Sequence, residues 1–318
     1  MSVLDGVTPT RRQALKVAGS AMVGAAIAGS RSSAWADAAD ASGQRRDNLL
    51  IDTHLHCFAG PRSVSFPYHA NAPYRPTAAA TPEYLIECMD AVGVDFAVVV
   101  HPEPYQDDHR YLEHCLKVGS GRLKGTVLVF SDRPDASRQV QELHDRTDVV
   151  AVRVHAYAPE RMPDFDSDGL RRLWSTATRL GLAVQLHFEP RHAAKFASLI
   201  RDFPDTTVLI DHLGRPFQGT SSQYDDVLAL ADFPNTIMKL SSIPVQTNYP
   251  HRDIRPTIDQ IVDRFGPSRL MYGGGFNASA TPASYRQTID RARSLLGALS
   301  DDERQMVFGG TAKRALGF

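Results

Sequence analysis

LLIDTHLH, residues 49–56, is an apolar run that closes on two histidines spaced two apart. Along an extended strand the side chains alternate between faces, so His54 and His56 would point the same way at the carboxyl end of the run. Seven further short runs rich in β-branched residues follow: FAVVVHP (96–102), LKGTVLVF (123–130), VVAVRVH (149–155), LAVQLHF (182–188), TTVLIDHLG (206–214), TIMKLSS (236–242) and RLMYGGG (269–275). Amphipathic stretches separate them, among them TPEYLIECMDAVG (81–93), DGLRRLWSTATRLG (168–181) and DIRPTIDQIVDRFG (253–266). Several open on Ser, Thr or Asp and end at Gly, the residues that cap helices. Continuous apolar strands alternating with helices predict an α/β fold whose parallel sheet is buried on both faces. Eight such units predict closure into a single (β/α)8 TIM barrel over residues 49–318.

The region before the barrel differs in kind. TPTRRQALKVAGSAMVGAAIAGSRSSAWA places Arg11-Arg12 ahead of a Gly/Ala-rich apolar run, and Ala34-Trp35-Ala36 follows as a small-x-small cleavage site. That order is expected of a twin-arginine-type signal peptide over residues 1–36, with 37–48 as a linker and a periplasmic mature protein. Net charge is −1 with both signs interspersed, so nothing marks a nucleic-acid partner. No apolar run reaches the ~20 residues of a membrane-spanning helix. Cys57, Cys88 and Cys115 are odd in number and fit no paired metal spacing, so no disulfide framework is expected. A monomer or small homo-oligomer is the expected state.

Barrel enzymes carry their active sites at the carboxyl ends of the strands. Reading those ends in order gives His54 and His56 on the first strand, Arg153 on the fourth, His187 on the fifth, and His212 with Arg215 on the sixth. Four of the twelve histidines thus meet at one mouth, and neutral imidazole is a common ligand of zinc-like ions. By alternation, Asp211 should face away from His212 and serve a structural role. The long segment 57–80, rich in Pro, Tyr and Ala, reads as a lid or substrate wall that carries Tyr68. His101 ends the second strand as a further candidate wall residue.

His54-x-His56, His187 and His212 resemble the metal-ligand pattern of the amidohydrolase superfamily. IDTHLHCF, VLIDHLGRP, RLMYGG and the terminal GGTAKRALGF resemble its lactonase branch, whose members include hydrolases of pyrone dicarboxylate and of sulfomuconolactone. The resemblance spans residues 49–318. It implies a divalent metal, zinc foremost, on His54, His56 and His187, although metal-independent lactonases also belong to the branch. It implies catalysis by His212, His187 and Arg153, and substrate contacts from Arg153, Arg215, Tyr68 and His101. Arg153 stands where many superfamily members carry a carbamylated lysine, which excludes that binuclear site. An arginine fork instead suits a substrate carboxylate or sulfonate.

GGGFN (273–277) departs from the branch pattern, which ends the eighth strand in Gly-Ser-Asp followed by an aromatic residue and Pro. Gly275 stands at the aspartate, so the expected catalytic carboxylate is missing. No lysine follows to make the glycines a phosphate cradle. The missing side chain is expected to enlarge the pocket and favour a bulky anion such as a sulfonate. The expected activity is hydrolysis of a small anionic unsaturated lactone, of 4-sulfomuconolactone or pyrone-dicarboxylate type, in aromatic-compound degradation. The alternatives are a lactone isomerase or decarboxylase on the same barrel, and a non-catalytic lactone or carboxylate binder.

Overall fold

The computed structural model describes residues 49–157 and 162–318. The expected signal peptide and linker lie outside the described residues. Eight strands, β1 (Ile51–Leu55), β2 (Phe96–Val100), β3 (Leu123–Leu128), β4 (Val149–Ala156), β5 (Ala183–Phe188), β6 (Val208–Ile210), β7 (Thr236–Leu240) and β8 (Leu270–Tyr272), pair in parallel and in chain order. Eight helices alternate with them: α1 (Pro82–Val92), α2 (Arg110–Val118), α3 (Ala136–Arg146), α4 (Asp168–Arg179), α5 (Ala193–Asp202), α6 (Ser221–Ala229), α7 (Arg255–Phe265) and α8 (Pro282–Leu295). Across the remaining seam, Thr53 Oγ1 donates to Tyr272 O (2.7 Å) and His56 N to Phe276 O (3.3 Å). The result is the (β/α)8 barrel read from the sequence.

The helices form where capping and burial agree. Thr81 caps α1 by accepting from Tyr84 N, Pro82 opens the first turn, and Gly93 ends it in the left-handed conformation. Pro82, Leu85, Cys88, Met89 and Val92 form its buried stripe, and all three cysteines are free and buried. Among the described residues no helix is long and apolar enough to cross a membrane.

Two apolar clusters divide the core. The larger lies between the sheet and its helices. The smaller, with Val98, Val100, Ala151, Ala183, Leu209, Ile237 and Met271, joins residues of six strands to Leu316 of the C-terminal helix α9 (Thr311–Leu316). Two residues further along four of these strands stand Arg153, Gln185, Asp211 and Lys239, all buried. The same strand faces therefore change from apolar to charged as they approach the carboxyl ends. Over that end runs segment 57–80, fastened by the paired backbone bonds of Phe58 and Ala80 (2.8 and 2.7 Å) and by His69 N donating to Pro104 O (2.8 Å).

Candidate active site

Asp211 is the hub of the site, contrary to the alternation argument that faced it outward. Strand β6 ends at Ile210, with Leu209 in the inner cluster, so Asp211 shares the inward face of Leu209. His212 reaches the mouth by another route. The backbone turns left-handed at His212 (φ 57°), Leu213 (φ 58°), Gly214 (φ 63°) and Arg215 (φ 61°). That bend swings successive side chains inward and is the kind of local strain a fold retains at working sites. Gly214 is required within it, since an added Cβ would fall 2.3 Å from Val227 Cγ1.

Both oxygens of the Asp211 carboxylate are engaged, Oδ2 more heavily than Oδ1. His54 Nδ1 donates to Oδ1 (3.1 Å), while Arg153 donates to Oδ2 through Nε (3.0 Å) and Nη2 (2.8 Å). Gln185 Nε2 also donates to Oδ2 (3.0 Å), and Lys239 Nζ lies 3.6 Å from Oδ1. Burial works to raise the Asp211 pKa, but His54, Arg153 and Lys239 together hold it well below the usual carboxylate range. Lys239 is wholly buried and donates to Thr53 O (2.6 Å); desolvation, opposed by Asp211, brings its pKa down to about 8.

His54, Asp211 and His212 bring their ligand atoms within 4.8 Å of one another. Nδ1 of His54 is spent on Asp211, and its buried Nε2 has no partner among the described residues. Two imidazoles and a carboxylate suit a zinc-type ion, and an unpaired buried nitrogen needs an occupant. The residues therefore fit a divalent metal, in a set different from the expected His54, His56 and His187. His56 donates Nδ1–H to Val100 O (2.8 Å), with its ring 5.2 Å from that of His54. His187 stacks on Tyr157 (4.7 Å) and accepts at Nε2 from Arg215 Nη2. Neither joins the cluster of ligand atoms.

His212 sits between the two groups, its ring 4.5 Å from His54 and 5.1 Å from His187. Ser241 Oγ accepts from His212 N (3.1 Å) and shares a hydrogen bond with Nδ1 (2.9 Å), fixing the ring. Burial is the main cause of the low pKa of His54, His187 and His212, and the charge of Arg153 adds to it. All three are neutral near pH 7.

The other expected residues are placed less centrally. Arg153 is turned inward to Asp211, so its Nε and Nη2 are not free for a substrate anion. Arg215 lies over the Tyr157 ring at 4.2 Å, and its Nε is buried without a partner among the described residues. Tyr68 packs on Tyr105 (5.3 Å) and donates to Pro76 O (3.4 Å), which holds it within the loop. His101 is fully enclosed, with Nε2 bonded to Gln106 O (2.8 Å) and its ring 4.3 Å from His109. Neither Tyr68 nor His101 meets the histidine cluster.

Gly275 does not open a pocket. A Cβ there would fall 2.0 Å from Tyr285 Cδ2 and Cε2, so the Tyr285 ring of α8 already fills that space. The added room expected for a sulfonate is absent. Asp52 secures this corner: Oδ1 accepts from His54 N (3.0 Å) and Gly274 N (2.8 Å), and Oδ2 from Gly275 N (3.0 Å) and Tyr285 Oη (2.8 Å).

Residues 51–318 match the family model described as amidohydrolase. A 2-pyrone-4,6-dicarboxylate hydrolase of Comamonas testosteroni is 27% identical over 70% of this chain and 75% of its own length. A 4-sulfomuconolactone hydrolase of Hydrogenophaga intermedia is 27% identical over 70% of this chain and 72% of its own. Among solved structures, an amidohydrolase of Burkholderia multivorans with bound zinc superposes with a TM-score of 0.69 at 19% identity, covering 85% of this chain and 99% of that one. With its barrel, its mouth of histidines and a match over residues 51–318, the chain belongs to the amidohydrolase family.

Proposed function

We propose that this chain hydrolyses a small anionic, unsaturated lactone, of 4-sulfomuconolactone or pyrone-dicarboxylate type, in the degradation of aromatic compounds. The observation that carries the reading is the Arg215–His187 contact beside His212. It sets a cation with an unpaired donor next to neutral imidazoles, which is what an anionic ester needs. The two relatives named as hydrolases of such lactones support it.

Arg215 receives the carboxylate or sulfonate, and Tyr157 holds its guanidinium plane in place. Drawing Arg215 to the substrate releases the His187 Nε2 lone pair, which then takes a proton from the attacking water. A lone pair of the hydroxide oxygen bonds to the lactone carbonyl carbon, and the C=O π pair moves onto the carbonyl oxygen. Arg153 and Lys239, held by the Asp211 carboxylate, place two buried cations in the floor of the site, and their fields favour this oxyanion. When the tetrahedral centre collapses, the bond to the ring oxygen breaks and His187 returns the proton to that oxygen. His54, Asp211 and His212 would hold a zinc-type ion, which when bound supplies Lewis-acid polarisation and lowers the pKa of a coordinated water.

The test is ring opening of a lactone panel by metal-replete protein in 18O-enriched water. The expected outcome is loss of lactone with one labelled oxygen in the new carboxylate. Turnover without label would assign an isomerase or decarboxylase instead. Export through the Arg11-Arg12 segment is proposed alongside, and is checked by the N-terminal sequence of the mature protein, expected to begin near Asp37.

A further inference from the structure

Beside the histidine cluster a cavity of about 600 Å³ opens between the carboxyl ends of β3 and β4 and the start of α4. Its lining is graded. Leu128, Val129, Val154 and Leu173 are buried, while Asp132, Asp164 and Arg172 stand exposed. One buried polar side chain joins the apolar lining. His155 Nδ1 lies 3.1 Å from Glu103 Oε1 without hydrogen-bond geometry, so neither ring nitrogen has a hydrogen-bond partner among the described residues. Its Nε2 is buried. The ring of His155 meets that of His187 edge-on at 4.8 Å, so the cavity adjoins the group that handles the proton.

We infer that this cavity is a subsite for a side arm of the substrate: an apolar arm bearing one hydroxyl close to the lactone ring. The hydroxyl shares a hydrogen bond with His155 Nε2, donating or accepting as the tautomer requires, and satisfies a nitrogen that otherwise has no bond. The carbon chain lies on Leu128, Val129, Val154 and Leu173, and its end reaches solvent between the charged residues of the rim. A volume of about 600 Å³ is within the range of sites that enclose a drug-sized ligand, roughly 300–1,000 Å³. The inference rests on the lactone reading for the identity of the ring, not for the existence of the subsite.

Its test separates the two. Lactam isosteres of carboxymethyl butenolides, bearing hydrogen, pentyl or 1-hydroxypentyl on the ring, bind without turnover and are compared by calorimetry. Pentyl is expected to bind at least about tenfold tighter than hydrogen, and 1-hydroxypentyl tighter again. Ser131→Phe, which fills the cavity from its wall, should remove both gains and leave the affinity of the unarmed lactam within about twofold. Should Ser131→Phe misfold, Met162→Phe fills the same space from the facing loop. Equal affinity for all three lactams in the unaltered protein would overturn the subsite, as would gains that survive both folded variants. Lactones opened with no arm preference would leave the hydrolytic reading standing and the subsite lost; arm-dependent lactam binding with no lactone opened would do the reverse.

Discussion

The Tyr285 ring takes the volume that any side chain at position 275 would need, with an added Cβ only 2.0 Å away. Glycine at 275 and tyrosine at 285 are thus one structural choice, secured by the Tyr285 hydroxyl on Asp52. Gly275→Asp is expected not to install a catalytic acid but to overpack a closed corner, costing about 1–3 kcal/mol or more. Tyr285→Ala alone would leave a large cavity, costing about 3–5 kcal/mol. The double variant should be less destabilised than the sum of the two, because each change relieves the other. Urea unfolding of the four proteins measures the coupling. A folded Gly275→Asp protein with full stability and raised activity would show the corner to be open.

In the proposed reaction Arg215 discriminates by charge. Its Nε has no partner among the described residues, and its plane is set by Tyr157. Arg215→Lys keeps the charge and loses the planar fork, so KM for an anionic lactone should rise by about 10–100-fold. For a neutral lactone of the same ring size KM should barely move, because no anion needs the fork. kcat should fall as well, since the lysine cannot draw away from His187 in the same geometry. Equal KM changes for charged and neutral substrates would remove Arg215 from anion recognition.

The barrel is legible from sequence because eight apolar strands and capped helices repeat the same local signals, as Thr81, Pro82 and Gly93 show around α1. The mouth is only partly so. Alternation gives a true parity for Arg153, and for Asp211 when counted from Leu209, but it fails at His212, where four left-handed residues replace the strand and the parity counted back from His212 misplaces Asp211. Nothing local in DHLGR announces that bend apart from Gly214. Lys239 escaped notice because a single lysine in TIMKLSS resembles an ordinary solvent-facing residue. Its context argued otherwise: a strand of a parallel barrel is covered on both sides, so a lysine there must be buried and partnered. Tyr285 lies within α8, thirteen residues beyond the end of β8, and no sequence pattern ties it to Gly275.

His109 offers a pH prediction away from the reacting groups. Burial lowers its pKa to about 4, although its Nδ1 donates to Asp107 O at 3.0 Å. The folded state keeps His109 neutral, whereas in the unfolded chain it takes a proton near pH 6.5. Between about pH 4 and 6.5 the unfolded state therefore binds more protons, and the His109 contribution to stability is full above 6.5 and is lost as pH falls. His109→Asn, whose amide can still donate to Asp107 O, should flatten that limb by up to about 1.4 kcal/mol per pH unit. Denaturant midpoints at pH 4.5, 5.5 and 7.5 decide it. Parallel curves for the two proteins would mean that His109 takes up its proton over the same pH range folded and unfolded.

A divalent ion on His54, Asp211 and His212 would be held against two neighbouring cations. His54, Asp211 and His212 provide donors, but Arg153 and Lys239 already face the same carboxylate at 2.8 and 3.6 Å. A divalent ion must share Asp211 with both cations. Two unit charges 4 Å apart repel by about 4 kcal/mol at an effective dielectric near 20, so even a fraction of that term is felt in affinity. Lys239→Met removes the charge while keeping an unbranched chain in a wholly buried position. It should tighten zinc by at least about tenfold in a chelator competition. His54→Ala removes the unpaired Nε2 and should abolish stoichiometric zinc by elemental measurement. Lys239→Met loses its bond to Thr53 O, so its stability is to be read beside its zinc affinity. If both variants matched the unaltered protein in zinc content and affinity, the ion would have to bind elsewhere than on His54, Asp211 and His212.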